Sequence, residues 1–156
     1  MGEEVERKFL VAALDSAPPF TGTALRQGYL AVDGDVEVRI RSDGITAALT
    51  VKKGEGLRRQ EVEVSLALDD FDGMWPLTEG RRIEKVRRRV PVGAHVAEVD
   101  QYEGALRGLA VVEVEFASSA DAEAFEPPPW FGAEVTGLQD WSNASLATRG
   151  RPGTAS

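Results

Sequence analysis

The chain has no cysteine and only one histidine, His95, among its 156 residues. Disulfides and thiolate metal sites are thereby excluded. The lone His95 stands near the start of a strand, where packing explains it better than catalysis. Long apolar runs are missing too. Nothing approaches the about 18 residues needed to span a bilayer, and the N-terminus lacks the apolar stretch of a signal peptide. A soluble cytoplasmic protein is the expectation. Positive charge is in deficit, with 18 Lys and Arg against 26 Asp and Glu, for a net charge of −8. That balance argues against nucleic acid and anionic membranes as partners, because like charges repel. Local basic clusters remain able to hold a small anion. No phosphate loop is present either: Gly54-Glu55-Gly56 is too short and lacks the helix of a Walker motif.

What is present is alternation. Hydrophobic residues make up 42% of the chain, a globular proportion. The length suits one domain, over residues 1–148, followed by a Gly/Pro/Ser-like tail at 149–156 expected to be disordered. Strands are predicted at 3–13, 25–32, 35–43, 45–53, 58–66, 82–91, 94–102 and 108–117. Asp33-Gly34 and Asp43-Gly44 read as hairpin turns, because Asp and Gly accept positive φ cheaply. Such short links favour an antiparallel meander over βαβ units. Asp69 reads as the N-cap of a helix carrying Phe71, Met74 and Trp75. Ser118 or Ser119 should cap a second short helix, which Pro127-Pro128-Pro129 cannot continue. A last helix starting near 139–142 carries Trp141, Ala144, Leu146 and Ala147. The expected fold is α+β: eight antiparallel strands with two or three helices.

The polar alternates are unusually ionic, and their signs cluster strand by strand. Carboxylates recur in Glu4/Glu6, Glu61/Glu63, Glu98/Asp100 and Glu113/Glu115. Basic groups recur in Arg39/Arg41, Lys52 and Lys85/Arg87. A sheet with one wet face would produce alternation by itself, but it would mix in Thr, Ser and Gln. Suppose instead that the sheet closes with the charges inward. An empty charged barrel is costly, and a polyanion with a divalent cation removes that cost. Arg and Lys would neutralise phosphate oxygens, while carboxylates would hold Mg²⁺ or Mn²⁺, hard ions that prefer oxygen. The apolar alternates, among them Val36, Val38, Ile40, Val62, Val64, Val112, Val114 and Phe116, would face outward under the helices.

The Glu4-x-Glu6-x-Lys8 strand, with Glu37–Arg41, Leu49–Lys52, Arg59–Val64, Glu84-Lys85-x-Arg87 and Val112–Phe116, resembles the CYTH superfamily of triphosphate tunnel metalloenzymes. The likeness is strongest to small bacterial members that hydrolyse inorganic triphosphate. It implies an eight-stranded closed antiparallel tunnel with a charged interior. It also implies phosphate binding by Lys8, Arg39, Arg41, Lys52, Lys85 and Arg87. Metal coordination by Glu4, Glu6, Glu61, Glu63, Glu113 and Glu115 follows from the same likeness. Asp100 shares the inward register, either as a metal ligand or as a counter-ion to a neighbouring cation. Lys8 and Lys52 would lie beside the reacting end of the chain, with Tyr29 positioning it. Where the family often has tyrosines, this chain has Arg88 and Trp141, departures that bear on substrate preference.

The expected activity is metal-dependent hydrolysis of triphosphate to pyrophosphate and orthophosphate. The same scaffold serves thiamine triphosphatases and class IV adenylate cyclases, and a non-catalytic polyphosphate-binding module is a further alternative. Trp75, Trp130 and Phe131 read as packing residues rather than stacking platforms. The oligomeric state is left open, a homodimer included.

Overall fold

Asp-Gly turns and alternating strands fold into one antiparallel sheet, seen in a computed structural model that describes residues 5–11, 22–54 and 60–153. The strands are β1 (Val5–Val11), β2 (Thr23–Asp33), β3 (Val36–Ser42), β4 (Ala47–Lys53), β5 (Gln60–Leu66), β6 (Arg82–Val92), β7 (His95–Tyr102), β8 (Ala110–Phe116) and β9 (Phe131–Glu134). Their order is β5-β4-β3-β2-β6-β7-β8-β1-β9. The turns behave as their chemistry requires. Gly34 and Gly44 adopt φ of +57° and +89°, and Asp43 Oδ1 accepts from the amides of Ile45 and Thr46 at 2.9 and 2.7 Å.

Two expectations are corrected here. The sheet has nine strands rather than eight, because Phe131–Glu134 adds to β1 through Phe9↔Glu134 and Val11↔Phe131. Four residues after a run of prolines are too few to show alternation. The ladder of described residues also ends at β5 and β9, which are not paired to each other, so the closed barrel is instead a curled sheet. The curl is evident because side chains from β2, β3 and β4 share a cavity with side chains from β1 and β8.

The convex face carries the apolar alternates. Phe9, Val90, Ala97, Val99, Val112, Val114 and Phe116 form one core beneath α2 (Ser119–Ala124), with Phe131 from β9. Ile40 and Ala47 form another with Phe71 of α1 (Leu68–Met74). Burying each such large side chain contributes on the order of 1.5–3 kcal/mol. Val62 and Val64 do not pack under a helix as expected: they are 63% and 53% exposed on the terminal strand β5. The N-cap of α1 is Ala67, with no side-chain bond, so Asp69 is not the cap. Asp69 and Asp70 lie instead in the first turn, where negative charge suits the unpaired amides. Ser118 does cap α2, its Oγ accepting from the Asp121 amide at 3.1 Å.

The third helix is placed differently. A 3₁₀ turn (Gln139–Trp141) leads into α3 (Asn143–Arg149), capped by Ser142, whose Oγ accepts from the Ser145 amide at 3.1 Å. Ala144, Leu146 and Ala147 pack against Tyr29, Ile83, Tyr102 and Val111. Those four alternate in register with the charged rows, so α3 covers one end of the concave face. Arg149 belongs to this helix, and residues 150–153 continue as a bend and turn. Among the described residues, no helix is long and apolar enough to cross a membrane.

Candidate active site

Strand register brings the ionic side chains onto the concave face in rows. Lys8 lies opposite Glu113, and Glu6 opposite Glu115. Glu113 also faces Glu98 across β7, while Arg87 faces Asp100. On the other wall Arg39 stands between Tyr29 and Thr50, and Lys52 stands between Glu37 and Glu61. The sheet therefore sets an acidic wall, β1 with β7 and β8, facing a mainly basic wall on β3 and β4.

Between them is a cavity of about 200 Å³ lined by Glu6, Lys8, Tyr29, Glu37, Arg39, Lys52 and Glu113, with the segment Gln139–Ala144 contributing the remaining side. Lys8 Nζ donates to the Trp141 carbonyl at 2.6 Å and lies 3.8 Å from Glu113 Oε1. Tyr29 is buried, and its hydroxyl accepts from Gln27 Nε2 at 3.0 Å. Burial pushes the Tyr29 phenol above its usual pKa, against the opposing pull of the Arg39 charge. Arg39 Nε is buried with no hydrogen-bond acceptor among the described residues. A desolvated guanidinium donor without an acceptor is costly, and an anion in the cavity would relieve it.

The remaining cations are arranged differently. Lys85, 3% exposed, donates to Asp100 Oδ2 at 2.8 Å. Arg87 grips the same carboxylate with Nε to Oδ1 at 2.8 Å and Nη2 to Oδ2 at 2.9 Å. Burial by itself would raise the Asp100 carboxyl. The Arg87 hydrogen bonds and the Lys85 charge outweigh it and hold Asp100 below the usual range. Lys85 is drawn below the usual lysine range by its burial, against the attraction of Asp100. Three directional bonds favour the ionised form of the Asp100 carboxylate. Asp100 is therefore a counter-ion to Lys85 and Arg87. Arg41 is pulled down by burial and by the like charges of Arg87 and Arg39. It borders a second cavity, of about 310 Å³, together with Glu63 and Ser65.

The acidic wall crowds like charges around Glu6. Glu6 is raised above the ordinary carboxylate range by burial first, then by the negative charges of Glu113, Glu115 and Glu98. Such oxygen donors suit a hard divalent ion. No three acidic or histidine side chains among the described residues converge tightly enough to hold an ion alone. The donor set fits an ion that keeps several waters and takes further oxygens from a phosphate, as Mg²⁺ commonly does. Glu4 lies outside the described residues. Glu61 and Glu63 sit exposed on β5, with Glu63 Oε1 3.5 Å from Thr50 Oγ1.

Several site residues escaped the sequence reading. Glu37 lines the cavity, and alternation with Arg39 and Arg41 was the available signal. Gln27 is buried and orients Tyr29. Glu98, already among the carboxylate pairs of the sequence, adds to the acidic wall. Asn143 lines the cavity with no local signal, because it arrives by the return of α3 onto the sheet. His95 packs edge-on against Phe116 and Phe125, with centroids 4.9 and 5.7 Å away, as its core reading requires. Trp75 stacks on Phe71, and Trp130 meets Phe131 edge-on.

Comparison with known proteins bears on the family. An inorganic triphosphatase of Nitrosomonas europaea is 45% identical over 92% of this chain and 96% of its own length. One from Acetivibrio thermocellus is 33% identical, covering 94% of each chain. The crystal structure of the inorganic triphosphatase NE1496 superposes with a TM-score of 0.79 at 41% identity, covering 95% of this chain and 96% of that one. The Hippeastrum protein HpAC1, at 14% identity and TM-score 0.55 over 78% of this chain and 83% of that one, shares the fold. The CYTH domain matches residues 2–127, and with the curled sheet and its facing ionic walls the chain belongs to the CYTH domain family.

Proposed function

We propose that this protein hydrolyses inorganic triphosphate to pyrophosphate and orthophosphate with a divalent metal ion, Mg²⁺ or Mn²⁺. The observation that carries the reading is the convergence of Lys8, Arg39 and Lys52 on one cavity that Glu6 and Glu113 also line. This happens in a chain whose net charge is −8, so the basic cluster runs against the overall balance. Relatives named inorganic triphosphatase over nearly the whole chain support the same conclusion.

Phosphoryl transfer needs alignment and countercharge more than covalent help. Lys8, Arg39 and Lys52 would supply the countercharge, with Arg39 Nε as a donor already stripped of water. Tyr29 remains protonated, and with Gln27 donating to its oxygen, its own proton is left for a phosphoryl oxygen. Arg41, Lys85 and Arg87 would extend the basic path deeper, the last two aimed by Asp100. Glu6, Glu113 and Glu115 would hold the metal, with Glu4, Glu61 and Glu63 as further oxygen donors. When bound, the ion offsets phosphate charge and makes a coordinated water more acidic.

The test is phosphate release from tripolyphosphate, ATP and thiamine triphosphate, each with Mg²⁺ and Mn²⁺. Tripolyphosphate should be preferred by about tenfold or more in kcat/KM, a difference of about 1.4 kcal/mol. Faster turnover of either organic triphosphate, or tight tripolyphosphate binding without release of phosphate, would overturn the proposal.

A further inference from the structure

One side of the cavity is not sheet. It is built by the 3₁₀ turn and the start of α3, and it includes Asn143. Behind it stands Tyr102, 2% exposed on β7. The Tyr102 hydroxyl donates to Asn143 Oδ1 at 2.9 Å. A buried phenol carries one proton, and this one has no other acceptor among the described residues, so polar satisfaction requires it to donate here. Burial, followed by the negative charges of Asp100 and Glu113, pushes the Tyr102 pKa up, so the proton stays in place. The direction of that bond settles the amide. Oδ1 faces Tyr102, and Nδ2 is the end left over. Among the described residues Nδ2 has no acceptor, and the residue borders the space shared by Lys8, Tyr29 and Arg39.

We propose that Asn143 is a substrate-binding residue, its side-chain amide donating a hydrogen bond to a phosphoryl oxygen, and that Tyr102 is the positioning residue that decides which end of the amide meets the substrate. The inference rests on the triphosphatase reading. A neutral donor has a use beside three cations: it adds direction without adding to their mutual repulsion. With the amide turned around, its oxygen would oppose the anion, so a latch on Oδ1 has a function.

Asn143→Asp tests this directly. The aspartate has the same shape and still accepts from Tyr102, and negative charge suits the first turn of a helix. The fold should therefore hold, with Tm unchanged, while a donor becomes an anion facing the substrate. KM for tripolyphosphate should rise about tenfold or more, the scale of losing a hydrogen bond to a charged group, with kcat little changed. Asn143→Ala should give a smaller rise of the same kind. Tyr102→Phe should raise KM modestly in the wild-type background and not at all on top of Asn143→Ala, because the two residues act as a unit. Wild-type KM in both Asn143 variants, or additive effects in the double variant, would overturn the proposal. If the unaltered protein releases no phosphate from tripolyphosphate, the triphosphatase reading fails by itself. Asn143 is then judged on the thermal shift induced by tripolyphosphate: a shift reduced in Asn143→Asp sustains its role, and an equal shift removes it.

Discussion

Asp100→Asn removes the charge that binds two cations together and leaves the side-chain shape almost unchanged. In the native protein one carboxylate takes a hydrogen bond from Lys85 and two from Arg87, all at 2.8–2.9 Å, and Lys85 is 3% exposed. Taking away one partner of such a buried cluster costs about 3–5 kcal/mol, because the remaining charges stay desolvated without compensation. For a chain of this size each kcal/mol corresponds to roughly 2–4 °C, so Tm should fall by about 6–20 °C. The pH dependence follows from the depressed Asp100 pKa. A group whose folded pKa lies below its unfolded value of 3.8 stabilises fully above that value and loses the contribution as pH falls through the folded one. The gap between wild type and variant should therefore be constant from neutral pH down to about 5 and close only in stronger acid. Added tripolyphosphate should raise the variant's Tm more than the wild type's, since the anion supplies the missing negative charge. Thermal unfolding followed by circular dichroism measures all three. A variant melting within about a degree of wild type at pH 7 would refute the claim that Asp100 neutralises a buried pair.

Other consequences follow from the same geometry. Glu6→Gln should abolish metal-dependent phosphate release while leaving Tm unchanged or slightly raised, since it relieves repulsion from Glu113 and Glu115; turnover at the wild-type rate would remove Glu6 from the metal site. Because the Glu6 pKa is raised above 4.5 and a metal needs the deprotonated form, Mn²⁺ affinity measured by calorimetry should begin to fall at a pH above that value. Gly28→Ala places a Cβ 2.5 Å from Thr78 Cβ and Oγ1, and Thr78 is fully buried with its hydroxyl bonded to the Trp75 carbonyl at 2.7 Å. Overpacking of that kind costs about 1–3 kcal/mol, so an unchanged denaturation midpoint would contradict the contact.

The hairpins were legible in the chain because their cause is local. Asp43-Gly44 sets its own turn, and alternation on either side sets which residues face inward. The charged walls were legible for the same reason. What could not be read depends on contacts between distant segments. Ile83 alternates with Lys85 and Arg87, yet it faces α3 while they face Asp100, and nothing near it in sequence says where along the concave face the charge ends. The partner of Asp100 required the register of β6 on β7. The strand Phe131–Glu134 is too short for any periodic signal. The edge position of β5 was equally hidden, since Val62 and Val64 have the composition of a covered strand and are left uncovered. Asn143 combines both problems: an ordinary polar residue at a helix start, given a task by a phenol 41 positions earlier.

Among the described residues β1 pairs only with β8 and β9, and Lys8 is tied to a carbonyl 133 residues further on. Synthesis runs from the N-terminus, so the strand bearing the first site residues emerges long before anything it can pair with. The part of the sheet built from β2 to β7 can form early; β1 must wait to be inserted between two strands made near the end. Such late, distant pairing slows folding, and it means the cavity acquires its acidic wall and its α3 side together, among the final events of assembly.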